Sequence, residues 1–227
     1  MTDRVSIARK ISALCADRGL RFYTKAKLLS DPLYGGVLAE LKSSERPLLD
    51  VGCGIGILGL YLRENGWDAE VSGFDYDDEK IEQGLEIIKR GGYERISLAQ
   101  GDARTELPEH SGNVTILDIL QFFTPEEQKK LLRVAGSKVK PGGKFIIRSG
   151  LKEKSVRFFI TWIGDLIAKG TFWMKAAPTH YPTAQFFREQ LESGGFEVEI
   201  RPFWGKTPFN NYLIVATRQP QSAEAGQ

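Results

Sequence analysis

At Asp50-Val51-Gly52-Cys53-Gly54-Ile55-Gly56 the chain passes from an apolar run, Leu48–Val51, into a segment with helical spacing, Ile57–Asn65. Glycines at such a junction allow a tight turn and let a ligand approach the backbone closely. The first N–H groups of the helix then face a polar or anionic ligand. The stretch therefore predicts a cofactor-binding loop between a strand and a helix.

Short apolar runs alternate with segments of helical spacing along the chain after this loop. Strands separated by helices predict a parallel sheet, and right-handed crossovers make it doubly wound. The last two runs leave no room for a helix between them, so they predict an antiparallel hairpin. The predicted strands are Leu48–Val51, Ala69–Phe74, Ile96–Gln100, Val114–Leu120, Lys144–Arg148, Phe196–Phe203 and Asn211–Thr217, and the predicted helices are Ile57–Asn65, Glu79–Arg90 and Pro125–Val139.

Two cofactors compete for the predicted loop. The spacing Gly54-x-Gly56-x-x-Gly59 matches the dinucleotide fingerprint, which makes an NAD(P)-dependent oxidoreductase one alternative. Asp50 argues against a pyrophosphate because like charges repel, and it suits a ligand with an ammonium and a sulfonium. Asp75 ends the second predicted strand and can accept hydrogen bonds from ribose hydroxyls of either cofactor. Asp102, after the third strand, is either an adenine ligand or a turn residue.

The stretch Leu49–Gly56 resembles motif I of the class I S-adenosylmethionine (SAM) methyltransferases. The resemblance extends over about residues 45–218 and implies a small-molecule methyltransferase with a mostly parallel seven-stranded sheet, ordered 3-2-1-4-5-7-6, in which strand 7 is antiparallel. Four further segments are similar to the family in order and spacing: Gly73-Phe74-Asp75-Tyr76, Gly101-Asp102-Ala103, Asp118-Ile119-Leu120-Gln121 and Lys140-Pro141-Gly142-Gly143-Lys144.

The resemblance also implies how SAM binds. The glycine loop would pass under its methionine part, Asp75 would bind the ribose, and Tyr76 would pack against the adenine. Asp102 would bind the adenine amino group, and Asp118 with the following turn would line the methionine end. The implied cofactor-binding residues are Asp50, Gly52, Cys53, Gly54, Gly56, Asp75, Tyr76, Asp102, Ala103, Asp118 and Ile119.

A helical insertion, within residues 151–182, follows the fifth predicted strand. Its apolar residues recur at helical spacing, with extra aromatic side chains beside them. The segment is either a helix packed on the core or a roof over a lipophilic or aromatic acceptor. A third interpretation is contact with a membrane surface, because basic residues flank the apolar ones. Predicted acceptor contacts are Gln121, where many relatives have His, together with Phe122, Phe159 and Trp162.

Methyl transfer to oxygen, or to a carbon next to a phenol, can require a general base. The sequence has two histidines, and His110 stands in a polar loop where an exposed side chain is expected. His180 and Tyr181 follow the insertion and are the predicted catalytic residues, unless they only form a turn. The predicted activity is SAM-dependent methylation of a small apolar or aromatic molecule at oxygen or carbon. A SAM-binding module without catalysis is the remaining alternative.

The first 45 residues predict an N-terminal helical cap. Basic residues outnumber acidic ones in it, which indicates either a solvated helix face or a cationic lid over an anionic substrate or a carboxylate. The run Lys27–Tyr34 resembles part of bacterial methyltransferases encoded with fatty-acid or polyene-pigment biosynthesis enzymes. The basic residues are Arg4, Arg9, Lys10, Arg18, Arg21, Lys25 and Lys27.

Composition excludes several classes of protein. The 227 residues are 41% hydrophobic with a net charge of +2, which fits one methyltransferase domain over 46–218 and a flexible tail over 219–227. Near-neutral charge, and the absence of an Asn-Pro-Pro-Tyr-type motif after strand 4, argue against nucleic acid as a partner. Two cysteines cannot form a disulfide framework or a zinc site, so we expect a cytoplasmic protein without a metal.

Overall fold

Seven strands form one sheet within the residues that the computed structural model describes, which are 3–161, 163 and 179–220. The strands are β1 (Leu48–Val51), β2 (Val71–Asp75), β3 (Ile96–Gln100), β4 (Asn113–Leu117), β5 (Lys144–Gly150), β6 (Phe196–Pro202) and β7 (Asn211–Arg218). Their order is β3-β2-β1-β4-β5-β7-β6. β7 runs antiparallel to both of its neighbours, and the other pairs are parallel. The predicted fold class is confirmed.

Helices cover both faces of this sheet. They are α1 (Arg4–Leu14), α2 (Arg18–Ser30), α3 (Leu33–Leu41), α4 (Ile57–Glu64), α5 (Asp78–Gly91), α6 (Pro125–Ser137) and α7 (Ala184–Glu192). Residues 156–161 are also helical, and Leu120–Phe122 form a 3-10 turn. A capping box between Thr124 and Glu127, with Pro125 at the first position, starts α6 directly after that turn.

Two apolar clusters hold these layers together. Successive residues of a strand point to opposite faces, so Leu48 belongs to the cluster under α1–α4 and Leu49 to the cluster under α6 and α7. All residues of β1 are buried, as expected for a central parallel strand covered on both faces. Glu40 on α3 pairs with Lys144 on β5 and Arg201 on β6, each at 2.6 Å. The N-terminal helices are therefore fixed to the sheet by packing and by ion pairs.

The structure differs from the sequence-based expectation at Asp118 and His110, apart from shifts of one or two residues at the ends of other strands. The fourth strand ends at Leu117 instead of Leu120 because Asp118 adopts φ +61°, in the left-handed region, which breaks an extended chain. His110 is half-buried instead of exposed, because its Nε2 bonds to the carbonyl oxygen of Asn113 at 2.8 Å. Burial lowers the pKa of His110.

Part of the predicted insertion and tail lies outside the described residues, namely 162, 164–178 and 221–227. Trp162 and most of the segment predicted to touch a membrane surface belong to this part. In the portion of the chain that is described, no helix has the length and apolar character needed to cross a membrane. The same portion contains no cluster of His, Cys, Asp and Glu suited to a metal ion.

Candidate functional site

The glycine loop has a conformation that requires glycine. Gly52, Gly54 and Gly56 have φ values of +78°, +55° and +75°, which side chains with a Cβ rarely adopt. The Gly52 N–H donates to the carbonyl oxygen of Phe74 at 2.7 Å. A Cβ at Gly52 would lie 2.8 Å from Ile119. The loop is thus held between the end of β2 and the turn that follows β4.

Carboxylates surround this loop. Asp75 accepts hydrogen bonds from the N–H groups of Gly54 at 2.8 Å and Asp77 at 3.0 Å, so it fixes the loop from the end of β2. Asp50 is 3% exposed and accepts from Thr115 Oγ1 at 2.7 Å. Burial raises the pKa of Asp50 to about 6, with a further contribution from the charge of Asp75.

The loop opens into a cavity of about 1080 Å³, large enough for a cofactor and a second small molecule. Gly56 is absent from its described wall and supports the loop from below, where a Cβ would lie 3.1 Å from Leu98. The predicted cofactor-binding residues that line the cavity are Asp50, Gly52, Cys53, Gly54, Asp75, Tyr76, Asp102, Ala103, Asp118 and Ile119.

Three of these residues have local features that limit their roles. Burial, followed by the charges of Asp50 and Asp75, raises the pKa of the Cys53 thiol, so Cys53 is not a nucleophile at neutral pH. Tyr76 is 44% exposed at the cavity rim. The Asp102 carboxylate accepts from the Arg104 N–H at 2.9 Å, so it forms a turn as well as lining the cavity.

Only some of the predicted acceptor-binding and catalytic residues line the cavity. Gln121, Phe122 and Tyr181 line the cavity, whereas His180 and Phe159 are not in its described wall. Phe159 is 58% exposed. The backbone of His180 fixes a turn instead. Its N–H donates to the Gln121 carbonyl oxygen at 3.3 Å, and its own carbonyl oxygen accepts from Gln128 Nε2 at 3.0 Å.

A buried ion-pair network on the cavity wall was not predicted. Arg148 on β5 is 3% exposed, and its guanidinium contacts the carboxylates of both Asp31 and Asp118. Its Nε donates to Asp118 Oδ1 at 2.6 Å and its Nη2 donates to Asp31 Oδ2 at 2.8 Å. Lys27 Nζ lies 4.0 Å from Asp118 Oδ2. The signal in the sequence was an arginine in an otherwise buried strand, since a buried charge needs partners.

The network also shapes the turn that carries Asp118. The residue adopts its left-handed conformation while Arg148 holds its carboxylate and Gln121 Nε2 donates to its carbonyl oxygen at 3.0 Å. The same turn places Ile119 against Gly52. The network therefore connects the N-terminal helices to the loop on which a cofactor would lie.

The charges around the loop fit SAM better than a dinucleotide. Asp50, Asp75 and Asp77 all line the cavity beside the loop, and Lys80 is paired with Asp77 at 3.4 Å. A pyrophosphate would meet several carboxylates there, whereas a sulfonium, an ammonium and ribose hydroxyls would be attracted or hydrogen-bonded.

Comparison with known proteins gives the same result. A family model described as a methyltransferase domain matches residues 42–177, more than half of the chain. Demethylmenaquinone methyltransferase from Bacillus cytotoxicus is 26% identical over 175 residues, which cover 68% of this chain and 72% of that protein. The chain is therefore a SAM-dependent methyltransferase, and it belongs to the methyltransferase-domain family.

Solved structures share the fold. Magnesium protoporphyrin IX methyltransferase from Synechocystis PCC 6803, with bound S-adenosylhomocysteine, superposes with a TM-score of 0.68 at 18% identity, covering 92% of this chain and 93% of that one. An O-methyltransferase family protein from Burkholderia thailandensis has a TM-score of 0.68 at 17% identity. This chain covers 64% of the length of that protein, and 94% of this chain is aligned. SAM as cofactor and the enzyme class are confirmed, and the NAD(P) alternative has no support.

The affinity for SAM should fall by about tenfold between pH 7 and pH 5. A cation binds more tightly beside ionised Asp50, and a carboxyl with a pKa of about 6 becomes protonated over this interval. Calorimetric titration across the range measures the effect. Asp50→Asn should bind SAM more weakly with a flatter pH dependence. An affinity that rises toward acid pH would show that Asp50 does not act on the bound cation.

Proposed function

We propose that this chain transfers the methyl group of SAM to a hydroxylated aromatic molecule, at oxygen or at an activated ring carbon. The observation that carries the proposal is the aromatic composition of the cavity wall outside the glycine loop. That part of the wall combines α2, α3, the residues around Leu120–Phe122, the segment before α7, and the segment between β6 and β7. Its aromatic side chains are Tyr23, Tyr34, Phe122, Phe123, Tyr181, Phe203 and Phe209.

The relatives favour the same class of acceptor. The similar protein from Bacillus cytotoxicus is named for demethylmenaquinone, a ring compound. At 26% identity, the name indicates the chemical kind of acceptor for this chain and not the compound itself. An aromatic wall stacks well on a flat ring, because offset and edge contacts between rings are favourable.

Bound SAM would supply an activated methyl group, which leaves alignment and exclusion of water to the protein. The glycine loop with Asp75 and Asp102 would hold the cofactor at one end of the cavity. The aromatic wall would hold the acceptor ring at the other end and keep water away from it. Tyr181 is 7% exposed, and its ring packs edge-on against Phe158 at 5.2 Å. A hydroxyl on such a fixed ring can orient an acceptor oxygen.

The test is a panel of acceptors with SAM, using 1,4-dihydroxynaphthalene, catechol and a straight-chain fatty acid. Mass spectrometry follows S-adenosylhomocysteine and the methylated product. Product from the dihydroxy rings and none from the fatty acid supports the proposal. Tight binding of SAM by calorimetry without product from any acceptor would favour a SAM-binding module that does not catalyse transfer.

Tyr181→Phe should lower kcat/KM for the aromatic acceptor by about tenfold or more. The substitution keeps the ring packing and removes a hydroxyl whose hydrogen bond to a charged or ionising oxygen is worth about 1.5–3 kcal/mol. Steady-state kinetics measure the loss, and the Kd for SAM should be unchanged. His180→Ala is the matched control and should change kcat/KM less. A larger loss of kcat/KM in His180→Ala would indicate that His180, and not Tyr181, is the catalytic residue.

A further inference from the structure

Lys27 lies on the cavity wall, and its ammonium group has hydrogen-bond donors that no acceptor among the described residues uses. It lies on α2, and its side chain is 26% exposed. Its Nζ lies 4.0 Å from Asp118 Oδ2, beyond hydrogen-bond distance, and 5.8 Å from the centre of the Tyr23 ring. Among the described residues no hydrogen bond reaches Lys27 Nζ, although an ammonium has three donors. Few partly buried ammonium groups remain without a hydrogen-bonded partner.

The carboxylates near Lys27 are already bound by another residue. Arg148 donates to Asp31 from both Nη1 and Nη2, and to Asp118 from Nη2 and Nε. Asp118 is thus primarily a partner of Arg148, and Lys27 is only its distant second neighbour. The donors of Lys27 therefore remain available to whatever enters the cavity.

The other cations of the described cavity wall have closer partners. Lys80 lies 3.4 Å from Asp77. Arg104 lies 3.4 Å from Asp102, donates to the Phe122 carbonyl oxygen at 3.1 Å and stacks on the Phe123 ring. The ion pair of Lys27 is therefore the longest in this set, which singles out Lys27 as a ligand-binding group.

Lys27 keeps its charge at neutral pH. Burial alone would lower its pKa, but the neighbouring groups Tyr34, Tyr23 and Asp118 outweigh that effect and hold the pKa above its ordinary value. The charged and titratable groups that face it are these three, on α3, on α2 and after β4, together with Arg148 on β5 and the adjacent Asp31.

We propose that Lys27 forms an anion subsite in this cavity, where its ammonium pairs with a negatively charged oxygen of a bound ligand. The inference rests on the proposed function and deepens it. Two sources have the required chemistry: the α-carboxylate of SAM, and the ionised hydroxyl of the aromatic acceptor. In the second case Lys27 would lower the pKa of the acceptor hydroxyl, and the resulting oxyanion is the better nucleophile at oxygen or at the adjacent ring carbon.

The experiment compares Lys27→Met with Lys27→Arg and with Lys25→Met, a control that removes an exposed lysine of the same helix outside the cavity wall. One arm titrates SAM and decarboxylated SAM by calorimetry. The other arm measures turnover of 1,4-dihydroxynaphthalene as a function of pH. Circular dichroism melting checks the fold, and Lys27→Gln replaces Lys27→Met if the apolar variant does not fold.

We expect Lys27→Met to lose about tenfold or more in either the affinity for SAM or the turnover of the acceptor. Lys27→Arg should recover most of that loss, and Lys25→Met should match the unaltered protein. If the unaltered protein prefers SAM to decarboxylated SAM and Lys27→Met does not, the anion is the cofactor carboxylate. If the affinity for SAM holds while the KM of the acceptor rises and the pH profile moves to higher pH, the anion is the acceptor oxygen.

A Lys27→Met variant that folds and behaves like Lys25→Met in both arms overturns the subsite. Failure of the proposed function gives a different result. In that case the unaltered protein would methylate no acceptor, while the calorimetric arm would still report on Lys27.

Discussion

Gly54→Val should reduce the affinity for SAM by about 100-fold or more. Gly54 lines the cavity and has φ +55°, a conformation that a β-branched residue adopts only with strain. The nearest protein atom to a Cβ built there is Lys80 Cδ at 3.9 Å, so the side chain has space within the protein itself. The cofactor would approach the loop through that space. A loss of about 2.7 kcal/mol in binding free energy corresponds to the expected 100-fold loss of affinity for SAM.

The matched control for this prediction is Gly66→Val. Gly66 also has a positive φ, of +78°, no atom within 4 Å of its Cβ position, and no place in the wall of the cavity. Both variants should therefore lose a similar amount of stability, about 1–2 kcal/mol for a left-handed residue with a side chain. Calorimetry with SAM should separate them. Equal affinities in the two variants would mean that the cofactor binds elsewhere.

The parts of the fold that could be predicted are those encoded by local patterns. β1 and the loop after it are marked by four apolar or acidic residues followed by glycines, and all three of Gly52, Gly54 and Gly56 do adopt positive φ. The hairpin of β6 and β7 followed from the short gap between two strand patterns. Order and direction of strands then came from connection rules that hold for most α/β proteins.

The end of the fourth strand could not be predicted from local sequence patterns. The apolar sequence Val114–Leu120 continues past Asp118, so periodicity alone predicts a longer strand. The chain turns at Asp118 because Arg148 binds its carboxylate and Gln121 its carbonyl oxygen. Arg148 is 30 residues away in the chain, and no local signal indicates that contact.

The acceptor side of the cavity was predicted incompletely for the same reason. Gln121 follows the fourth predicted strand and Tyr181 follows the helical insertion, and both were predicted from these positions in the chain. Tyr23 and Phe203 come from the N-terminal helices and from the segment after β6, and only the tertiary structure brings them to one wall. Residues that meet across such distances can be predicted only if a pattern in the sequence indicates the contact, and a basic helix with two adjacent aromatic residues, Phe22 and Tyr23, does not indicate one.

Arg148→Met should destabilise the protein by about 3 kcal/mol at neutral pH. Methionine is similar in length and apolar, so it fills the site but leaves Asp31 and Asp118 without their strongest partner. Removing one member of a buried ion pair typically costs about 3–5 kcal/mol, because the remaining charge stays buried. We take the lower end, since the Asp118 side chain is 28% exposed and cavity water can solvate it. Urea unfolding measures the loss.

The control for this variant is Arg188→Met, which removes a half-exposed arginine paired with Glu192 at 3.6 Å on the surface of α7. Exposed pairs of this kind contribute about 0.5 kcal/mol or less. A loss in Arg148→Met no larger than this would mean that the network does not hold the N-terminal helices to the sheet. SAM affinity should also fall in Arg148→Met alone, because the turn at Asp118 depends on the arginine.

The cost of Arg148→Met should depend on pH in a direction that identifies its cause. Burial acts to raise the pKa of Asp31, but Arg148 outweighs burial and lowers that pKa below its ordinary value. A lowered pKa stabilises the fold fully above the unfolded value of about 3.9, and the contribution is lost as the pH falls through the folded value. In the variant Asp31 lacks the guanidinium that holds its pKa down, so its protonation no longer costs that stabilisation. The difference in unfolding free energy between the two proteins should therefore be largest near neutrality and narrow below about pH 4. A difference that stays constant down to acid pH would assign the loss to packing of the arginine side chain and not to its charge.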